Sequence, residues 1–466
     1  MGIKILFYIV FMISFSVFSQ ADNKKPSGLT LKLIHRDSIE SNDLTRIEKF
    51  RKIIHRSKLR ANSLMSSTAA SEENPTDLRA PLSYESSSYV VQLSLGTPPT
   101  AEDQYLILDT AAELTWLQCD GCIDCFKQKQ PLYNPHDSST YKLLPCDHPL
   151  CKSYNCNHNH CKFEEWDSPD VHVEGFMSTE SFGFDVSYSN FTFLDGVVFG
   201  CAYGTVGFGF QDNPDNNING VFGLGPGPRS FASQFAPRGV FGYCLADWHF
   251  GPPDSPSKLM FGDDALLPVS GHVQITPIVE SDARSYFLKL ADIGVATKCL
   301  GFEPGKFDRA INGHGGFIID SGTSISYFAK DVYDRVRQVL VDYMKTLGLP
   351  EMDASSHHLD LCWSMPNGIP PRLPSMALYF QDNEYPDEPA DCGNEVGAQL
   401  IINPLSLFHI AEKVNPHLCL GIMPTNGTDP TLNILGAKQQ TYTKFSFNGQ
   451  NKTLSWMTWD CGLPPN

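Results

Sequence analysis

The sequence predicts an all-β protein made of two duplicated lobes, and three observations predict it. Long helical periodicity is nearly absent. Instead, short runs of Val, Ile, Phe and Tyr alternate with Gly, Pro, Asn and Asp clusters, in a chain holding 36 Gly and 33 Pro. The second observation is a repeated pattern. LILDTAAELTW (106–116) and FIIDSGTSISYF (317–328) both run from apolar residues into Asp, then a hydroxyl residue, then small residues. The third is a downstream partner of the form apolar-apolar-Gly for each: NGVFGLG (219–225) and LNILGAKQQ (432–440). One acidic strand and one partner loop per half imply two β-lobes, over 80–260 and 261–466. A chain of 466 residues has ample core for both.

The chain opens with Lys4 and an apolar run from Ile5 to Phe18, followed by small residues around Ser19 and Ala21. The run is short for a bilayer span and polar sequence follows, so residues 1–21 read as a secretory signal peptide. No membrane anchor is expected. Residues 22–79 hold 12 Lys/Arg against 8 Asp/Glu (+4), whereas residues 80–466 hold 22 against 44 (−22). So acidic a body would repel phosphate, which argues against nucleic acid as a partner. The basic stretch RIEKFRKIIHRSKLRANSLM places Ile47, Phe50, Ile54 and Leu59 roughly on one helix face, with cations elsewhere. A Ser-rich, cleavable linker follows. Residues 22–79 therefore read as a propeptide whose cations cover a negatively charged cleft, removed near residue 80.

From SYVVQLSLGTPP onward strands dominate. The clearest exception is AKDVYDRVRQVLVDYMKTLG, where Val332, Val336, Val339 and Leu340 share a helix face and the terminal Gly is a C-cap. Seven of the fourteen cysteines lie in the insertion 119–161. Their crowding could suit zinc, but the secretory route favours disulfides, whose connectivity spacing alone leaves open. No metal and no cofactor is expected. The Asn-x-Thr sequons at Asn190, Asn426 and Asn451 suit glycosylation on the same route.

In order and wording these pieces resemble the pepsin-like aspartic proteases, and particularly the plant nepenthesin-like branch. SYVVQLSLGTPP resembles that family's first mature strand, and WLQCDGCIDCFKQKQPLYNPHDSSTYKLLPCDHPLC its Cys-rich insertion. NGVFGLGPGPRSFASQF with FGYCLAD resembles the end of its first lobe. FIIDSGTSISYF, LDLCW, HLCLGI and NILGAKQQ resemble its second lobe, and LKLIHRDS the opening of its prosegment. The resemblance implies a bilobal pepsin-like fold with an interlobe cleft. It also implies a catalytic pair, Asp109 and Asp320, in which two adjacent carboxylates share one proton and activate water. Thr110 and Ser321 would bond across the lobes, while Gly322 and Thr323 would complete the second motif.

Two departures from the family pattern stand out. Ala111 and Ala112 replace Gly and Ser, so Ala112 can donate no hydroxyl to Asp109, and Ala111 is expected to strain its loop. The region matching the flap, KFEEWDSPDVHVEGF, has no Tyr; Trp166 and Asp167 lie nearest its place. The expected activity is thus a secreted, acid-active aspartic endopeptidase, weakened by its altered first motif. It would act as a monomer on proteins or peptides in the extracellular space (apoplast) or the vacuole. The alternative is an inactive homologue that binds or inhibits proteins.

Overall fold

The computed structural model describes residues 28–39, 45–69, 88–152, 156–168, 171–186, 190–208, 213–236, 239–247, 257–268, 271–279, 285–365, 368, 372–382, 392, 397–410 and 416–463. The expected signal peptide, the expected linker from residue 70 to 87 and the expected cleavage point near residue 80 lie outside them, while residues 66–69 continue the preceding helix. Among the described residues, twenty strands form one continuous hydrogen-bonded network, and two four-stranded sheets lie apart from it.

The two acidic strands show why an apolar run leads into each carboxylate. In the strand Glu102–Asp109, Leu106 and Leu108 face the large central core while Ile107 faces a second cluster with Trp116 and Phe163. In Phe317–Ile319, Phe317 and Ile319 face the central core and Ile318 a separate cluster. Alternate residues point to opposite faces. Where both faces are covered, the sequence shows an unbroken apolar run rather than alternation. Burying each such side chain stabilises the fold by about 1.5–3 kcal/mol.

Each acidic strand pairs in parallel with its downstream partner: Leu106–Asp109 along Gly220–Gly223, and Phe317–Ile319 along Asn433–Leu435. The lobes join through a shared sheet in which Val240–Cys244 pairs with Ser257–Gly262 on one side and Thr443–Asn448 on the other. The Cys244–Cys461 disulfide closes the same junction. All fourteen cysteines are paired. Within the insertion the bridges are Cys122–Cys125, Cys146–Cys156 and Cys151–Cys161, while Cys119 reaches out to Cys201. Among the described residues no His, Cys, Asp and Glu cluster suits a metal ion.

The helix Lys330–Thr346 buries Val332, Tyr333, Val336 and Leu340. It ends as its sequence suggests, with Gly348 at φ 70° and the Gly348 amide donating to Lys345 O.

The N-terminal basic segment is integral to the fold. Its strand Gly28–His35 pairs with Ser257–Gly262 and Tyr89–Val91, burying Leu31 and Leu33. A reciprocal Thr45–Glu48 capping box starts the helix Arg46–Ala69: the Thr45 amide donates to the Glu48 carboxylate at 2.7 Å, and the Glu48 amide to the Thr45 hydroxyl. The expected helix face needs correcting. Phe50 and Ile54 are buried, but Leu59 is 40% exposed; the inward face is Phe50, Ile53, Ile54, Ser57, Arg60, Ala61 and Leu64. Spacings of three and four keep these residues together, whereas Leu59, nine positions after Phe50, falls opposite. The cations are not all outside either. Arg60 is fully buried, and Arg56 is buried in an ion pair with Asp37 at 3.0 Å.

Candidate functional site

Asp109 and Asp320 stand at the ends of the two acidic strands, both fully buried. Main-chain hydrogen bonds tie each to its partner loop, in opposite directions. The Leu224 amide donates to Asp109 O at 2.9 Å, and the Asp320 amide donates to Leu435 O at 3.1 Å. Six residues past each Asp, a hydroxyl accepts from the partner loop: Gly223 N to Thr115 Oγ1 at 3.0 Å, and Gly436 N to Ser326 Oγ at 2.9 Å. The two hydroxyl residues interlock across the lobes. The Ser321 amide donates to Thr110 Oγ1 at 3.0 Å, and the Thr110 amide to Ser321 Oγ at 3.3 Å. Gln440 of the LNILGAKQQ stretch braces the second loop, its Nε2 donating to Asp320 O and Leu435 O.

The carboxylates converge. A methyl group added at Gly322 would lie 3.1 Å from Asp109 Oδ1 and 3.1 Å from Asp320 Oδ1. Arg60 lies at the same point, its Nη2 donating to Asp109 Oδ1 at 2.7 Å and its Nε to Asp320 Oδ2 at 3.2 Å. One guanidinium thus spans both acids. Burying two like charges side by side is costly, and a fully buried cation between them offsets much of that cost.

Hydrogen bonding to the pair is unequal. Asp320 accepts from the Gly322 amide (3.0 Å) and the Thr323 hydroxyl (2.6 Å). Asp109 Oδ1 accepts from the Ala111 amide at 2.8 Å, but Oδ2, also buried, accepts no hydrogen bond among the described residues. Burial pushes the Asp109 carboxyl up to about 6; Arg60 opposes this, Asp320 adds to it, and the Ala111 and Ala112 amides lower it. The direction is the one expected from Ala112, although burial is its largest cause. The expected strain at Ala111 is absent, since Ala111 is not among the residues with positive φ. Its methyl packs within a cluster that includes Ala61, Leu64 and Met65 of the basic helix.

The region expected to form the flap is the hairpin of His160–Ser168 and Val171–Val186. Trp166 is half-buried and stacks on His172 across the hairpin, centroids 4.4 Å apart. The Asp167 side chain and Pro169 lie outside the described residues. Asn426 and Asn451 are exposed, the latter in a turn; the Asn190 side chain lies outside the described residues. Sequence reasoning expected the cations of the basic segment to cover an acidic cleft but did not single out Arg60, and it missed two buried flap neighbours, Glu165 and Arg229.

A two-lobed β-protein with one buried Asp per lobe, meeting across hydroxyl bridges, has the architecture of a pepsin-like aspartic protease. Residues 89–263 match a family model described as "Xylanase inhibitor N-terminal", and residues 285–458 one described as "Xylanase inhibitor C-terminal". The chain is 30% identical over 446 residues to aspartic proteinase nepenthesin-2 of Nepenthes gracilis, covering 94% of this chain and 92% of that protein. It is 32% identical over 373 residues to nepenthesin-1 of the same plant, covering 78% and 79%. This chain belongs to the nepenthesin-like plant aspartic proteinase family. Its fold is shared by the crystal structures of edgp (TM-score 0.63, 18% identity, 82% of this chain and 94% of that one) and soybean basic 7S globulin (0.58, 17%, 80% and 93%).

Proposed function

We propose that this protein is a secreted aspartic endopeptidase made as a latent precursor, and that the described arrangement is the latent form. The observation that carries the reading is the convergence of Asp109 and Asp320 on one guanidinium donated by the basic N-terminal segment. In this reading residues 22–79 are a propeptide and Arg60 occupies the place of the water and the scissile carbonyl. Once the segment leaves, the two acids share one proton. The ionised one takes a proton from water as it attacks the carbonyl carbon, and the protonated one donates to the carbonyl oxygen. Substrate would lie extended across the cleft, held by strand-like main-chain hydrogen bonds. The signal-like N-terminus and the disulfide-rich body support delivery to the extracellular space or vacuole, and the acidic body favours monomeric action on proteins or peptides.

A second reading is a non-cutting binding protein, favoured by one observation: Asp109 Oδ2 receives no hydrogen bond among the described residues, where Thr323 serves Asp320. The deciding experiment is a peptide-cleavage assay on the processed protein between about pH 3 and 6, with an Asp320→Ala control and a pepstatin-type inhibitor. Cleavage abolished by both supports the endopeptidase. No cleavage, with activity gained on Ala111→Gly plus Ala112→Ser, supports the binder.

A further inference from the structure

On the flap strand His160–Ser168 the inward-facing row reads Cys161, Phe163, Glu165, all buried. A carboxylate at the third place of an apolar row needs compensation. Arg229, 3% exposed, supplies it: its Nη2 donates to Glu165 Oε1 at 2.9 Å and to Glu113 Oε2 at 2.7 Å. The Arg229 amide also donates to Glu113 Oε1 at 3.1 Å. Burial would lower the Arg229 pKa, but Glu165 and Glu113 outweigh it and keep the guanidinium charged. Glu113 lies four residues past Asp109, in the loop whose Ala112 carbonyl accepts from Gly225 at 2.8 Å. Gly227 makes room for it, since a methyl there would come within 2.4 Å of the Glu113 side chain. Three segments therefore meet at one cation: the flap, the Asp109 loop and the loop leading to Ser230.

We infer that Arg229 is a positioning residue that latches the flap to the Asp109 loop, setting the height of the lid above the two acids. The inference rests on the endopeptidase reading. Arg229 touches neither aspartate; it acts through Glu165 and Glu113. The latch holds the hairpin by charge-assisted hydrogen bonds, which fix direction as well as distance. A flap without it would still fold against the first lobe but would close less often over a bound peptide.

The test uses Arg229→Met, Arg229→Lys and Glu165→Gln, with amide hydrogen exchange on the full chain and steady-state cleavage after processing. For R229M we expect exchange in His160–Ser168 and Val171–Phe176 to rise severalfold, that of Tyr89–Leu95 staying unchanged. KM should rise about tenfold while kcat stays within about threefold, with R229K and E165Q in between. Unchanged flap exchange, or an equal rise in Tyr89–Leu95, overturns the latch, as does an unchanged KM. Should R229M fail to fold, E165Q and R229K decide by the same measures. If the wild type cleaves nothing, the endopeptidase reading fails and the exchange pattern alone decides the latch.

Discussion

The two acidic loops share strand pairing, backbone anchors and the reciprocal hydroxyl bridge, yet they treat their carboxylates differently. In the second lobe, Gly322 leaves open the space over both acids, and Thr323 holds Asp320 at 2.6 Å. In the first lobe, the Ala111 methyl packs toward the basic helix, and Asp109 Oδ2 has no donor among the described residues. A buried carboxylate oxygen with no donor favours protonation. Burial raises the Asp109 carboxyl toward protonation, Asp320 adds to the rise and Arg60 opposes it. Duplicated scaffolds with unequal hydrogen bonding divide the roles of acid and base between chemically identical side chains.

The largest test of this comparison removes either acid. In the endopeptidase reading, Asp109→Asn and Asp320→Asn should each lower kcat by 10²–10⁴-fold or more, roughly the range of general acid–base catalysis. A mutant retaining near-wild-type cleavage would break the pairing. Next comes the cation. Arg60→Ala in the full chain leaves two buried acids uncompensated and should cost about 3–5 kcal/mol of stability, read by chemical denaturation. In the endopeptidase reading the same variant should also cleave before processing, whereas the unprocessed wild type should not.

The sharpest test exchanges the halves. Thr323→Ala should give Asp320 the poverty of Asp109 and slow cleavage roughly ten- to a hundredfold. Ala112→Ser should move the first loop the other way and lower the Asp109 pKa, read as a shift of the alkaline limb of the pH–rate profile to lower pH. Equal, opposite effects would show that the inequality lies in these two positions. The smallest effect is on stability. Asp109 titrates near 6 in the folded protein and near 3.9 unfolded, so the folded state binds the extra proton between those values. Its stabilisation is complete below about pH 4 and lost as pH rises through about 6. Measured against Asp109→Asn, the advantage of the wild type should shrink over that interval.

Much of this was legible beforehand. The apolar runs before Asp109 and Asp320, the partner loops, and the reach of the helix Lys330–Thr346 follow from periodicity, because burial on one or both faces leaves a local imprint. The loss of a hydroxyl at Ala112 was equally plain, since a side chain without an oxygen cannot donate. The expected strain at Ala111 was not found. Ala111 does not take a positive φ, and its methyl packs within a buried apolar cluster.

By itself, the sequence determined the two-lobed β-architecture, the pair of acids and the crowding of cysteines. Each is written in short-range pattern, and spacing along one strand or loop decides it. Tertiary structure alone decided which face of the basic helix turned inward, and so which cation met the acids. Arg60 lies 49 residues from Asp109 and 260 from Asp320, and no local period encodes charges that distant. The same holds for Glu165. A carboxylate in an apolar row is tolerable only because Arg229, 64 residues away, is folded against it. Buried charges are settled by partners in space, and only folding brings those partners together.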